Sequence, residues 1–345
     1  MMELARAEEA LRAAAGSRFT AAVLRVERNG RSAERAVGVL QPGGRPADPS
    51  SLFDYASLTK LFVATAALRL VARGALALDA PVAPWVPEWR NGQQGVTLRM
   101  LLAHTGGLRS GVDVRTLGDG DVLRYALEAD LVARPGERVV YSDLGFIILG
   151  LAIARAAAAP LERVVRDEVL DPLGAGADVG YLPAEELRAR IAVTERCPWR
   201  GRLMHGEVHD EKCYAMGGVA GHAGMFGDAR TAARLARAFL EAQSLALLPE
   251  ELAGEAVREQ AWDPILRRGL GWALRTTDEN SCGRYWSPKA FGHTGFTGTC
   301  VWADPDRGLV AVLLTNSVYA GRGDTRALRQ AVFEGALLDT EPPAP

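Results

Sequence analysis

The sequence predicts a mixed α/β fold of the α+β type, with a central antiparallel sheet flanked by N- and C-terminal helices and a mostly helical domain inserted in the middle. Two observations predict it. Apolar runs of strand character gather at the two ends of the chain, and the segment between them is dominated by helical patterns punctuated by Pro and Gly. The ends must then meet to complete one sheet. The expected division is residues 1–73 with 265–345 as the sheet domain and 74–264 as the helical insertion, with an active site between them.

Residues 3–15 read as an amphipathic helix, and 19–28 and 33–40 as strands joined across Asn29-Gly30, a strong hairpin signal. After the loop QPGGRPADPSS, an extended stretch Leu52–Tyr55 leads into 58–73. Leu61, Phe62, Val63, Ala64, Ala67, Leu68 and Val71 cover nearly the whole circumference of that helix, which predicts burial on most sides. TLRMLLAH, DVLRYALEAD, GFIILGLAIARAAAA, LERVVRDEVL, PAEELRARIA and ARTAARLARAFLEA follow as helical segments. Strands are expected to return only near the end, in GLGWALR, TGTCVWAD and LVAVLLTN. The last two are linked through Pro305-Asp306-Arg307-Gly308, and TRALRQAVFEGALL closes the chain as a helix.

Composition narrows the function. Of 345 residues, 48% are hydrophobic and 24% charged, and the net charge of −2 offers no field for nucleic acid or an anionic membrane. No apolar run approaches the roughly 20 residues of a membrane span. A small-molecule partner is expected. Cys197, Cys213, Cys282 and Cys300 form no C-x-x-C pair, and MELARAEEALRAAAG lacks an apolar leader core, so a reduced, cytoplasmic setting is expected.

Only Lys60, Lys212 and Lys289 are lysines; the remaining 37 of the 40 basic residues are arginines. A lysine kept in such a chain points to proton chemistry, because lysine can release its proton and arginine cannot. Ser57-Leu58-Thr59-Lys60 opens the buried helix, so serine and lysine share one helical face, with the hydroxyl among free N–H groups at the helix start.

The surrounding run LFDYASLTKLFVATAALRLV resembles the nucleophile segment of the serine β-lactamase and penicillin-binding-protein superfamily. LLAHTGGL (101–108), Tyr141-Ser142-Asp143 with LGFIILG, and Gly292-His293-Thr294-Gly295 resemble its further motifs in order. VHDEKCYAMGGVAGHAGMFG (208–227) and LLTNSVYAGR (313–322) resemble the branch of class C β-lactamases, D-alanyl-D-alanine peptidases and related esterases. The resemblance, over about residues 50–325, implies a cofactor-independent serine hydrolase on a β-lactamase-like fold. It implies Ser57 as acylated nucleophile, Lys60 as its proton partner and Tyr141 as general base, with the Ser57 and Phe296 N–H groups as oxyanion hole.

Two departures bear on substrate. Asp143 stands where relatives have Asn and would repel an anion unless it pairs with Lys60. His293 replaces a lysine that recognises a substrate carboxylate, beside Thr294 and Gly295 in the same substrate-binding strand. A neutral imidazole there favours an ester- or amide-cleaving enzyme acting on a less anionic substrate, unless an arginine restores the contact; protonation through about pH 6.5 would supply the missing charge. A β-lactamase, a D-alanyl-D-alanine carboxypeptidase, an acyltransferase and a silent ligand-binding domain are the alternatives.

His205, His209 and Cys213 recur at a spacing of four, but Gly206 argues against one helix carrying them, and no metal is expected. His209 and Asp210 are expected in a loop shaping the pocket, and His104 and His222 as structural histidines. Trp199 and Trp286 stand in irregular stretches where a tryptophan can line a pocket.

Overall fold

The Asn29-Gly30 hairpin forms because both residues take positive φ, 49° and 76°, the requirement of a turn whose twist matches the flanking strands. It joins β1 (Ala21–Arg28) to β2 (Arg31–Gly38). The computed structural model describes residues 2–118, 120–241 and 247–340. Among these, β3 is Phe53–Asp54, β4 Gly180–Tyr181, β5 Arg196–Cys197, β6 Arg202–Leu203, β7 Met225–Gly227, β8 Arg267–Arg268, β9 Ala273–Leu274, β10 Phe291–Thr294, β11 Cys300–Asp304 and β12 Leu309–Thr315.

The main sheet has the order β2-β1-β12-β11-β10-β9-β8 and is antiparallel throughout. β1 and β12 pair in register from Ala22↔Thr315 to Arg28↔Leu309, so the two ends of the sequence meet at the sheet centre. All seven residues of β12 are buried. Leu309, Ala311 and Leu313 join the apolar cluster under the terminal helices, whereas Val310, Val312 and Leu314 join the core on the opposite face. A strand covered on both faces reads as a continuous apolar run, as LVAVLLTN does.

One face is covered by α1 (Ala5–Ala14) and the C-terminal helix Arg326–Thr340, which pack on each other. Helices α2 (Thr59–Ala72), α3 (Leu98–Leu102), α4 (Val122–Glu128), α5 (Asp143–Ala156) and α6 (Leu161–Val165) follow the hairpin. After them come α7 (Glu211–Ala215) and α8 (Ala229–Leu240), and α8 lies against β1, β11 and β12. The last residue of the segment read as α8, Ala242, and residues 341–345 of the C-terminal range lie outside the described residues. One apolar core connects the sheet residues Ala21 and Val23 to α2 and α5. No single described helix is long and apolar enough to cross a membrane.

Two expectations need correction. The middle of the chain does contain strands: β4, β7 and β3 form a small sheet, and β5 pairs with β6. At two or three residues each, they are too short to display an alternating pattern. PAEELRARIA forms a 3₁₀ helix, Glu185–Arg190, with no buried residue, so no apolar face rewards an α-helix there.

The fold brings the 218–224 loop against α5 through one close approach. A Cβ on Gly221 would lie 1.9 Å from the Phe146 carbonyl oxygen and 3.2 Å from the Gly150 nitrogen. Only glycine permits this contact. Gly221→Ala is expected to destabilise the protein by about 1–3 kcal/mol through forced backbone separation, seen as a lower urea midpoint at unchanged slope; an unchanged midpoint would show that the loop yields freely.

Candidate active site

Ser57 sits in a single 3₁₀ turn, Ala56–Leu58, directly before α2. Ala56 takes φ +48°, an uncommon value for a residue with a side chain. The buried Asp54 carboxylate holds this conformation, accepting from the Ala56 N–H at 2.8 Å and from the His209 N–H at 2.6 Å. Thr297 Oγ1 donates to the Asp54 carbonyl and Thr299 Oγ1 to that of Tyr55, tying the loop after β10 to the same turn. The Ser57 and Phe296 N–H groups have no hydrogen-bond partner among the described residues, leaving both donors free.

Lys60, on the first turn of α2, is fully buried. Its Nζ lies 3.0 Å from Ser57 Oγ, 3.0 Å from the His222 carbonyl oxygen and 2.8 Å from Asp143 Oδ1. An ammonium has three protons, and three acceptors are present. Burial opposes the charge, but Asp143 and then Tyr141 outweigh it and raise the Lys60 pKa above the ordinary lysine value. The Tyr141 ring lies 5.0 Å from this Nζ.

The LLAHTGGL motif has a geometric role. The His104 ring packs against Tyr141 with centroids 4.5 Å apart. Its Nδ1 accepts from the Ser142 N–H at 3.1 Å, so the proton sits on Nε2. Ser142 in turn caps α5, accepting from the Gly145 N–H. Tyr141 and Asp143 are thereby fixed on either side of a helix cap.

Asp143 avoids free negative charge by pairing twice, with Lys60 and, through Oδ2 at 3.3 Å, with Lys212. Lys212 also pairs with Asp210 at 2.8 Å, and Asp210 Oδ1 lies 2.9 Å from His222 Nε2. The His222 carbonyl returns to Lys60, closing a ring of alternating charge. The structural role expected for His222 is therefore incomplete, since both its ring and its carbonyl face the cluster. Lys212 and Asp54 escaped the sequence reading as site residues; lysine scarcity was a usable sign for the first, and a buried acid two residues before an Ala with positive φ left none. Lys289 is an exposed partner of Asp306.

A cavity of about 510 Å³ opens beside Ser57 and Tyr141. His293, Thr294, Gly295 and Phe296 form one wall, and Arg268 and Arg329 are part of the lining. A Cβ on Gly295 would meet Thr299 Oγ1 at 2.0 Å, so glycine is required where this wall meets the Ser57 turn. His293 Nδ1 lies 2.8 Å from the Thr294 carbonyl, which makes it the protonated nitrogen. Burial, then Lys60 and Arg268, push the His293 pKa down to about 3. The expectation that this ring gains charge near pH 6.5 is not supported, because burial and the two cations favour its neutral form. Arg268 is buried, and its guanidinium lies 5.1 Å from the Tyr141 ring centroid.

His209 does not line the cavity; it stacks under Phe296 with centroids 5.6 Å apart and faces Glu195. His205 and Cys213 turn to separate carbonyls, those of Arg188 and Ala223, so the three residues at spacing four do not converge. Asp143, Asp210 and His222 come together in a way that could hold a cation, but the Lys212 ammonium already engages both carboxylates. Trp286 is core, and Trp199 lines a separate cleft with Tyr319 and Arg322.

The beta-lactamase family profile matches residues 4–334. The chain belongs to the β-lactamase family. Within that family it is 33% identical over 373 residues to esterase EstB of Burkholderia gladioli, across 92% of this chain and 91% of the relative. It is 29% identical to a putative D-alanyl-D-alanine carboxypeptidase of Escherichia coli strain K12, across 85% and 75%. The solved structure of EstCE1, a hydrolase with promiscuous acyltransferase activity, superposes with a TM-score of 0.78 at 22% identity, covering 96% and 98% of the two chains, a likeness of fold. This family member is a β-lactamase-type serine hydrolase.

Removing the Asp54 carboxylate strands two buried N–H groups, each worth about 1–3 kcal/mol. Asp54→Ala is expected to lower stability by at least about 2 kcal/mol in chemical denaturation; a loss below about 0.5 kcal/mol would remove Asp54 from the support of the Ser57 turn.

Proposed function

We propose that the protein hydrolyses carboxylic esters through an acyl-enzyme on Ser57. The observation that carries this reading is the Lys60 ammonium, buried, bonded at 3.0 Å to Ser57 Oγ and saturated by its other two acceptors. A saturated ammonium holds the serine in place but has no lone pair to take its proton, which leaves Tyr141 as base. With Tyr141 starting as the phenolate beside the Lys60 ammonium, Ser57 Oγ attacks the ester carbonyl as its proton passes to the phenolate oxygen, and the carbonyl oxygen takes the negative charge at the Ser57 and Phe296 N–H groups. Tyr141 returns the proton to the leaving alcohol. Water then repeats the sequence on the acyl-enzyme, with Tyr141 again receiving and releasing one proton.

The match to an esterase over nine-tenths of both chains supports ester cleavage, as does the neutral His293. An acyltransferase would share the first half-reaction, with an alcohol or amine in place of water. A second reading, a D-alanyl-D-alanine carboxypeptidase or β-lactamase, is favoured by Arg268. Its guanidinium has no side-chain hydrogen bond or ion pair among the described residues, so it could hold a substrate carboxylate that His293 does not. A retained nucleophile, lysine and tyrosine weigh against a silent binding domain.

Intact-mass spectrometry after a fluorophosphonate is expected to give one adduct, lost in Ser57→Ala. Tyr141→Phe should remain folded yet lose about a hundredfold or more in kcat, the usual contribution of a general base; normal turnover would move that role elsewhere. Profiling p-nitrophenyl esters, D-alanyl peptides and nitrocefin separates the two readings.

Charge selectivity gives a further test. Because His293 stays neutral, the kcat/KM ratio of a carboxylate-bearing ester to its neutral methyl-ester analogue should be flat from pH 6 to 8. Arg268→Gln should lower that ratio about tenfold or more if the guanidinium meets the carboxylate, the loss expected of a charge-assisted hydrogen bond. A ratio that rises as pH falls through 6.5 would restore His293 as the carboxylate's partner.

A further inference from the structure

Lys212 belongs to α7, remote in sequence from every group in the proposed proton transfer, and makes no hydrogen bond to Ser57, Lys60 or Tyr141 among the described residues. Its side chain is 14% exposed and spans the two carboxylates of Asp143 and Asp210 at 3.3 and 2.8 Å. Asp143 is thus divided, one oxygen to each ammonium. The four charges alternate and sum to zero. Their pairing is tight enough that Asp143 and Asp210 are held below the ordinary carboxylate range despite burial, by Lys60 and His222 respectively as the strongest favourable influence and by Lys212 in both.

We propose that Lys212 is a positioning residue that sets the proton affinity of the Ser57–Lys60–Tyr141 site by sharing Asp143 with Lys60. The inference rests on the serine-hydrolase reading above. With Lys212 neutralised, the cluster carries one uncompensated negative charge, and Asp143 acts on Lys60 alone. Every proton in the site is then held more tightly, so the base becomes available only at higher pH. Neutralising Asp210 does the reverse. The groups facing the reacting pair are Asp143 and Tyr141 at the start of α5, His104 after α3, Arg268 on β8 and His293 on β10. Asp210, Lys212, Cys213 and His222 face it from α7 and the loop that follows. His104 and His293 are kept neutral by burial and nearby cations, and burial holds the Cys213 thiol well above its usual range, so none of the three changes charge across pH 5 to 8.

The pH dependence of kcat/KM for p-nitrophenyl butyrate tests this. Its acidic limb reports the free enzyme's base, as one apparent value for the coupled site. Lys212→Gln, which keeps hydrogen-bond donors and removes the charge, is expected to move that limb up by about one pH unit. Asp210→Asn, which keeps an oxygen to cap α7, should move it down by a similar amount, and Lys212→Arg should restore a near-wild-type limb. A merely structural role would lower activity at all pH values without displacing the limb. Unmoved limbs, or shifts of both charge-neutralising variants in one direction, overturn the proposal. Should Lys212→Gln fail to fold by circular dichroism, the sign of the Asp210→Asn shift decides alone. A wild-type enzyme that forms no fluorophosphonate adduct on Ser57 refutes the underlying reading instead, and the two failures are distinct.

Discussion

A positive charge with no access to water is the constraint around which this protein is arranged. Lys60 is fully buried, and an isolated ammonium in such a place would lose its proton or unfold its surroundings. Segments from across the chain converge to prevent that: the turn before α2 supplies Ser57 and α2 the lysine itself, α5 supplies Asp143, and the loop after α7 supplies a carbonyl. In the proposed reaction the groups that solvate the charge also hold Ser57 in place, so stability and the proposed chemistry draw on the same contacts.

The same economy explains the glycines and the caps. Gly221 lets the loop backbone approach the Phe146 carbonyl of α5 closely, and Ser142 fixes the helix start that aims Asp143. Asp54, with no ion pair among the described residues, holds two backbone N–H groups and with them the turn at Ala56. These residues touch no substrate in the proposed reaction. Their effect is to hold a few polar atoms at about 3 Å in a region where water cannot correct errors of placement.

Much of this was legible in the sequence, for stated reasons. Asn29-Gly30 dictates a hairpin by its backbone preferences, and the helix 58–73 announces burial because it is apolar all round. Ser57, Lys60, Tyr141 and Asp143 were found because the first two share a helix and the others lie in ordered motifs. The short strands β4 to β7 were obscured because two or three residues carry no period, whereas β3 falls within the extended stretch read over Leu52–Tyr55. His293 lines the cavity, but the lowering of its pKa was not legible, since it depends on burial and on Lys60 and Arg268, neighbours that no local pattern connects. Arg268 directly precedes GLGWALR and carries no motif of its own, and its burial beside Tyr141 follows from the sheet order, which pairs β8 with β9 and β9 with β10.

That sheet order also constrains how the molecule comes into being. β1 is made well before β12, the strand beside which it lies. Until β12 emerges, the N-terminal hairpin has one exposed flank, and α1 lacks the C-terminal helix on which it packs. The nucleophile turn waits too, because Thr297 and Thr299 secure it from a loop near the far end. Contacts of such long sequence separation form slowly, so a ribosome-bound chain already carrying Ser57 and Lys60 has these residues without the surrounding structure that positions them. The turn that holds Ser57 is therefore completed only with the strands that follow the helical segment, and a product lacking them would be without the contacts that secure it.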